Sequence, residues 1–114
     1  MEHKTPTTLK AGGKKLWEAI TGDFELGQHE LSVLLEACRT VDALGALEKI
    51  VRDEGVTHQS PQGVRAHPAL VEARQQRVTL AKLVASLRIP LDDAQGEGRL
   101  PQQRSGVRAI SGVA

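Results

Sequence analysis

A length of 114 residues allows one domain at most. Aromatic residues make up only 2% of it, with one Trp, one Phe and no Tyr, so a core must be built from Leu, Val, Ile and Ala, which suits helix-on-helix packing. A net charge of +1 argues against a protein coated in positive charge, a mean hydropathy of −0.28 without a run of 18 apolar residues excludes a transmembrane helix, and a lone cysteine, Cys38, excludes an internal disulfide.

Residues 1–12 are polar, contain Pro6 and run into a Gly12-Gly13 pair, which reads as a flexible basic arm. No apolar h-region is present there, so the expectation is a protein that stays inside the cell. Within residues 1–15 four lysines (Lys4, Lys10, Lys14, Lys15) stand against Glu2, a net of +3. A short helix fits 13–22, where Leu16, Trp17 and Ile20 share a face. Thr21-Gly22-Asp23 stops it, and Phe24 and Leu26 anchor the turn that follows.

The stretch 27–54 contains no proline and runs on good helix formers, so it reads as one helix of about 40 Å. Its apolar residues change sides. Leu31, Leu34, Leu35, Cys38 and Val41 form one stripe, and Leu44, Leu47, Ile50 and Val51 form another on roughly the opposite side. One partner helix covers one stripe only; the second needs cover from elsewhere in the chain or from another subunit. Cys38 lies on the first stripe and reads as a small buried hydrophobe. Gly27 stands near the N-terminus with Glu30 in the first turn, and Gly55 suits a left-handed C-terminal cap. The helix is acidic, six carboxylates against three cations, a net of −3.

In 56–67, Ser60-Pro61-Gln62-Gly63 is a β-turn signal, which fits either a tiny hairpin or an irregular loop. Pro68 suits the first position of a third helix, 68–88, whose apolar face is read as Leu70, Ala73, Leu80, Ala81, Val84 and Leu87. Ile89-Pro90 closes it. Residues 65–89 carry five cations against Glu72, a net of +4, so a basic helix follows an acidic one. A short connection makes the two antiparallel, and counting back from the turn puts Arg74 opposite Glu48. From Asp92 onward no apolar periodicity is sustained, and 92–114 reads as a disordered tail. The expected architecture is all-α, a short N-terminal helix plus a long antiparallel helical hairpin, oligomerising through Leu44, Leu47, Ile50, Val51, Leu80 and Leu83.

Catalytic signatures are missing: no GxxxxGK[ST], no GxGxxG after a strand, no HExxH and no GxSxG. His3, His29, His58 and His67 lack metal-ligand spacing, so no enzyme, metal or cofactor is expected. For nucleic acid the signal is modest. Lys10, Lys14 and Lys15 at the first helix, and Arg99, Arg104 and Arg108 in the tail, suit salt-dependent phosphate contacts, although solvated charge explains either run equally well. Arg65, Arg74 and Arg77 fit two readings, structural ion pairs or a DNA-contacting surface. With so few aromatics, base-stacking on single strands is disfavoured, and Trp17 belongs to the core.

The order of these features carries a resemblance. LWEAI opens the first helix and LLEACRTVDAL fills the middle of the long one; a Gly-terminated helix end, SPQG and HPALVEARQQRVTLAKLVASLRIP follow. Through Trp17, Leu31, Ala37-Cys38, Gly55, Gly63, His67-Pro68-Ala69, Ala73, Leu83 and Leu87, residues 13–91 resemble the small-subunit terminases of tailed bacteriophages. No single one of these residues is diagnostic; the match lies in their order and spacing. The resemblance implies a non-enzymatic, ring-forming DNA-recognition adaptor in the cytoplasm of an infected bacterium. It would bind double-stranded viral DNA and regulate the ATPase and nuclease of the large terminase subunit during packaging. The chain departs from that pattern in having no separate DNA-binding domain ahead of the hairpin. Two other classes fit the composition: a helical protein-interaction module without DNA binding, and a small dimeric helix–turn–helix regulator.

Overall fold

A computed structural model of the chain describes residues 4–89 and 108–109. Three helices dominate: α1 (Ala11–Asp23), α2 (Gln28–Glu54) and α3 (Pro68–Leu87). Between α1 and α2 lies a short strand β1 (Phe24–Glu25); between α2 and α3 lie β2 (Thr57–Ser60) and β3 (Gly63–Ala66). A last strand, β4 (Arg108–Ala109), returns antiparallel to β1, with Phe24 opposite Ala109 and Glu25 opposite Arg108. The molecule is therefore mostly helical but not all-α. Apart from Arg108–Ala109, the expected tail lies outside the described residues. No described helix is long and apolar enough to cross a membrane.

The main core sits where α1, the first half of α2 and the end of α3 meet: Leu9, Trp17, Leu26, Leu34, Cys38 and Leu87. Leu9 corrects the reading of residues 1–12 as a free arm, because it is only 3% exposed. The start of α1 is clamped from α2. Asp42 accepts the Lys10 amide on Oδ2 at 2.7 Å and the Gly13 amide on Oδ1 at 2.8 Å, so a carboxylate 29 residues away caps this helix. Gly13 makes the approach possible, since a Cβ there would lie 2.6 Å from Asp42 Oδ2 and 2.8 Å from the Cys38 carbonyl oxygen. The Gly12-Gly13 pair, placed by sequence at the end of an arm, is a close-packing surface within α1.

Helix α2 starts with the Gly27 amide donating to Glu30 Oε1 at 2.6 Å, which satisfies one of the first-turn donors. It ends at Gly55, whose amide donates to the Val51 carbonyl at 2.7 Å. Gly55 has φ 93 and ψ 170, a positive φ as expected but with an extended ψ instead of the left-handed helical one, because the chain leaves directly into a strand. The left-handed residue is Arg88 (φ 55, ψ 42), which closes α3.

Helices α2 and α3 form the expected antiparallel hairpin. On α2 the residues turned inward are Ala37, Thr40, Leu44, Leu47 and Val51; on α3 they are Ala69, Ala73, Gln76, Leu80, Leu83 and Leu87. Both series alternate steps of three and four, the spacing of a shallow helix–helix seam. This corrects the apolar face read for α3: Ala81 and Val84 are exposed, and Leu83 takes the inward place. It also settles what covers the second stripe of α2. Leu44 is buried by packing within the single chain, Leu47 and Val51 are half-buried, and only Ile50 stays open.

Candidate nucleic-acid interface

The hairpin register decides which cations are available. Arg77, not Arg74, meets Glu48, with Nη2 donating to Oε2 at 2.9 Å. The sequence count was three residues short because the β2–β3 ribbon between the helices takes up eight paired residues, and so sets where α3 begins against α2. Arg77 is thereby committed to an ion pair. On α2 the cations Arg39 and Lys49 are committed too, to Glu36 and Asp53. Arg74, Lys82 and Arg65 form no ion pair among the described residues, and all three are exposed.

Because the inward seam of α3 is fixed at 69, 73, 76, 80, 83 and 87, its outer face is Val71, Arg74, Gln75, Val78, Lys82 and Ala85, all exposed. That face carries two cations and no carboxylate. Lys82 was not singled out by sequence; fixing the seam before listing charges would have found it. The positive face continues toward the ribbon. A shallow cleft of about 300 Å³ is lined by His58, Arg65, Ala66, Pro68, Val71 and Glu72, bringing Arg65 to the foot of α3. From Gly55 through Val71 the chain contains no Asp or Glu.

The lysines of α1 make a second, separate cluster. Lys10, Lys14 and Lys15 are exposed, on a helix that packs along a different flank of α2 from α3. The N-terminal amides of α1, which otherwise attract anions, are already occupied by Asp42, so these lysines offer point charges only. The structure thus divides the candidate residues into an α3–ribbon group (Arg65, Arg74), an α1 group (Lys10, Lys14, Lys15) and the paired Arg77. Arg99 and Arg104 lie outside the described residues, and Arg108 is described only through its backbone pairing with Glu25.

The junction between ribbon and helices is held by His67, which is buried. Its amide donates to the Val56 carbonyl at 2.8 Å, and its Nδ1 accepts the Ala69 amide at 3.0 Å, capping α3. With Nδ1 accepting, the proton resides on Nε2, which donates to Glu54 Oε1 at 2.8 Å. The His67 ring also packs against His58, centroids 5.6 Å apart. Every part of this imidazole is used structurally. Among the described residues no group of three His, Cys, Asp or Glu side chains is placed to hold a metal. Cys38 is fully buried, and burial, with a smaller contribution from Asp42, raises its thiol pKa from 9.0 to about 11, so it is no nucleophile at neutral pH.

What the arrangement offers chemically is a rigid rod-like surface with exposed, uncommitted cations on one side and an acidic helix behind it. Compared with known proteins, the chain matches no family model, no curated protein and no solved structure.

Proposed function

We propose that the chain is a small-subunit terminase of a tailed bacteriophage. In this reading it is a non-enzymatic, oligomeric adaptor that binds double-stranded viral DNA in the host cytoplasm and regulates the large subunit's ATPase and nuclease. The observation that carries it is the charge distribution of the hairpin. The carboxylates are concentrated on α2, where several are neutralised by ion pairs, while Arg65, Arg74 and Lys82 line an outer face without carboxylates. Such a face favours phosphate backbones, and a few cations per subunit gain strength when several copies present them together.

Assembly in this reading uses surface that the single chain leaves open. Of the six residues expected at a subunit interface, Leu44 is withdrawn into the chain, and Leu47, Val51, Leu80 and Leu83 lie half-buried in the α2–α3 seam. Ile50, 37% exposed, is the one that another copy reaches without opening the hairpin. Light scattering on size exclusion, followed by a salt-titrated DNA shift, tests the reading. It predicts a mass several-fold above 12.3 kDa and binding that weakens steeply with salt. A monomer at micromolar concentration, or negligible DNA affinity at low salt, would overturn it. The exposed Val71 and Val78 between the cations favour the second reading, a helical protein-interaction module, which low-salt DNA binding would exclude.

A further inference from the structure

The β2–β3 ribbon has one face that packs on nothing. Pairing places Thr57 opposite Ala66 and Gln59 opposite Val64, so these four side chains share a face, while His58, Arg65, Ser60 and Gly63 share the other. Ser60 and Gly63 are half-buried; all four residues of the first face are exposed, Val64 to 65%. A valine this open has no part in holding the ribbon together.

The ribbon is nonetheless rigid. Its turn is Pro61-Gln62, closed by Ser60 Oγ donating to the Gly63 carbonyl at 2.8 Å and accepting the Gln62 amide at 3.2 Å. Neither turn residue has a positive φ; Gly63, at φ 116, takes up the strand twist. Its root is pinned by His67, as described above.

Resting on the DNA-binding role proposed above, we propose that this ribbon reads base edges in the major groove through Gln59 and Val64. Two strands about 5 Å apart with their side chains fit a groove about 12 Å wide. A glutamine amide matches adenine in both directions, donating to N7 and accepting from the N6 amino group, and a neighbouring aliphatic side chain suits a thymine methyl. Thr57 and Ala66 extend the same face with a hydroxyl and a methyl. The absence of carboxylates from Gly55 to Val71 removes repulsion on entry. Arg65, Arg74 and Lys82 are left for phosphates, contacts that orient a protein on DNA without reading it.

The test is selection of binding sites by the full chain from duplexes with a randomised 20-base-pair core. The native chain enriches a motif containing A·T pairs. Gln59→Ala combined with Val64→Ser lowers discrimination between that motif and random duplex by about tenfold or more, with the melting temperature and low-salt affinity for random duplex unchanged. Enrichment of the same motif by the variant overturns the proposal, and so does a native chain that binds duplex without enriching anything; in both cases DNA binding itself survives. A variant that changes oligomer mass while keeping the motif marks the face as a protein contact, again overturning it. Failure of the native chain to bind the pool at low salt removes the DNA-binding role along with the ribbon's.

Discussion

The two ends of the α2–α3 hairpin are built to different standards. At the α1 end, Leu34 and Cys38 are fully buried among Trp17, Leu26, Leu9 and Leu87, and three elements converge on one cluster. Toward the ribbon only two helices remain. Leu47, Val51, Leu70 and Leu80 are half-buried, and Ile50, Val71 and Val78 are exposed. A pair of helices covers one stripe of each, whereas three helices enclose a core. Stability is therefore concentrated at one end, and the other end has surface to spare for partners.

Replacing a side chain at each end is the strongest way to break this contrast. Leu34→Ala should cost about 3–5 kcal/mol in denaturant unfolding and Leu47→Ala clearly less, because a half-buried leucine leaves no closed cavity. Equal costs would mean that the distal end is as well packed as the core. The glycines sharpen the same point. Gly13→Ala drives a Cβ into backbone and carboxylate and should destabilise by about 2 kcal/mol, whereas Gly45→Ala, with nothing within 4 Å, should stabilise by roughly 0.5–1 kcal/mol.

Asp42→Ala removes the clamp on α1 and should cost about 1–2 kcal/mol, the value of a lost helix cap, with faster hydrogen exchange confined to α1. Cys38 adds a pH signature. Its folded pKa of about 11 lies above the 9.0 of an open thiol, so above pH 9 the unfolded state ionises first and stability is lost as pH rises toward 11. Stability curves of native and Cys38→Ala chains should run parallel below pH 9 and converge above it. The smallest effect belongs to the distal end: Arg77→Ala should cost under about 1 kcal/mol, and 1 M salt should erase it, because both partners of that ion pair are about half exposed.

Reading the residues alone reached the helices to within two residues at each end, the burial of Trp17 and Cys38, and Pro68 at the start of α3. Those features are local: they follow from 3.6-residue periodicity, from breakers such as Gly22 and Gly55, and from the geometry of proline. The turn Ser60-Pro61-Gln62-Gly63 was legible too, yet a β-turn signal does not say whether its flanks pair, and only the structure shows the ladder from Thr57–Ala66 to Ser60–Gly63.

The candidate site was less legible, because a cation's availability depends on what stands across from it. Arg74 and Arg77 are indistinguishable in a linear chain; a register fixed by a ribbon outside both helices hands Glu48 to one and leaves the other to solvent. Asp42 likewise reads as one more acid on an acidic helix until folding sets it against the first turn of α1. The sequence by itself determined which segments coil and which faces are greasy, since neighbours a few positions apart decide both. Tertiary structure alone decided which charges are paired, which stripe is covered and which face of the ribbon looks outward, because each joins groups that the chain keeps tens of residues apart.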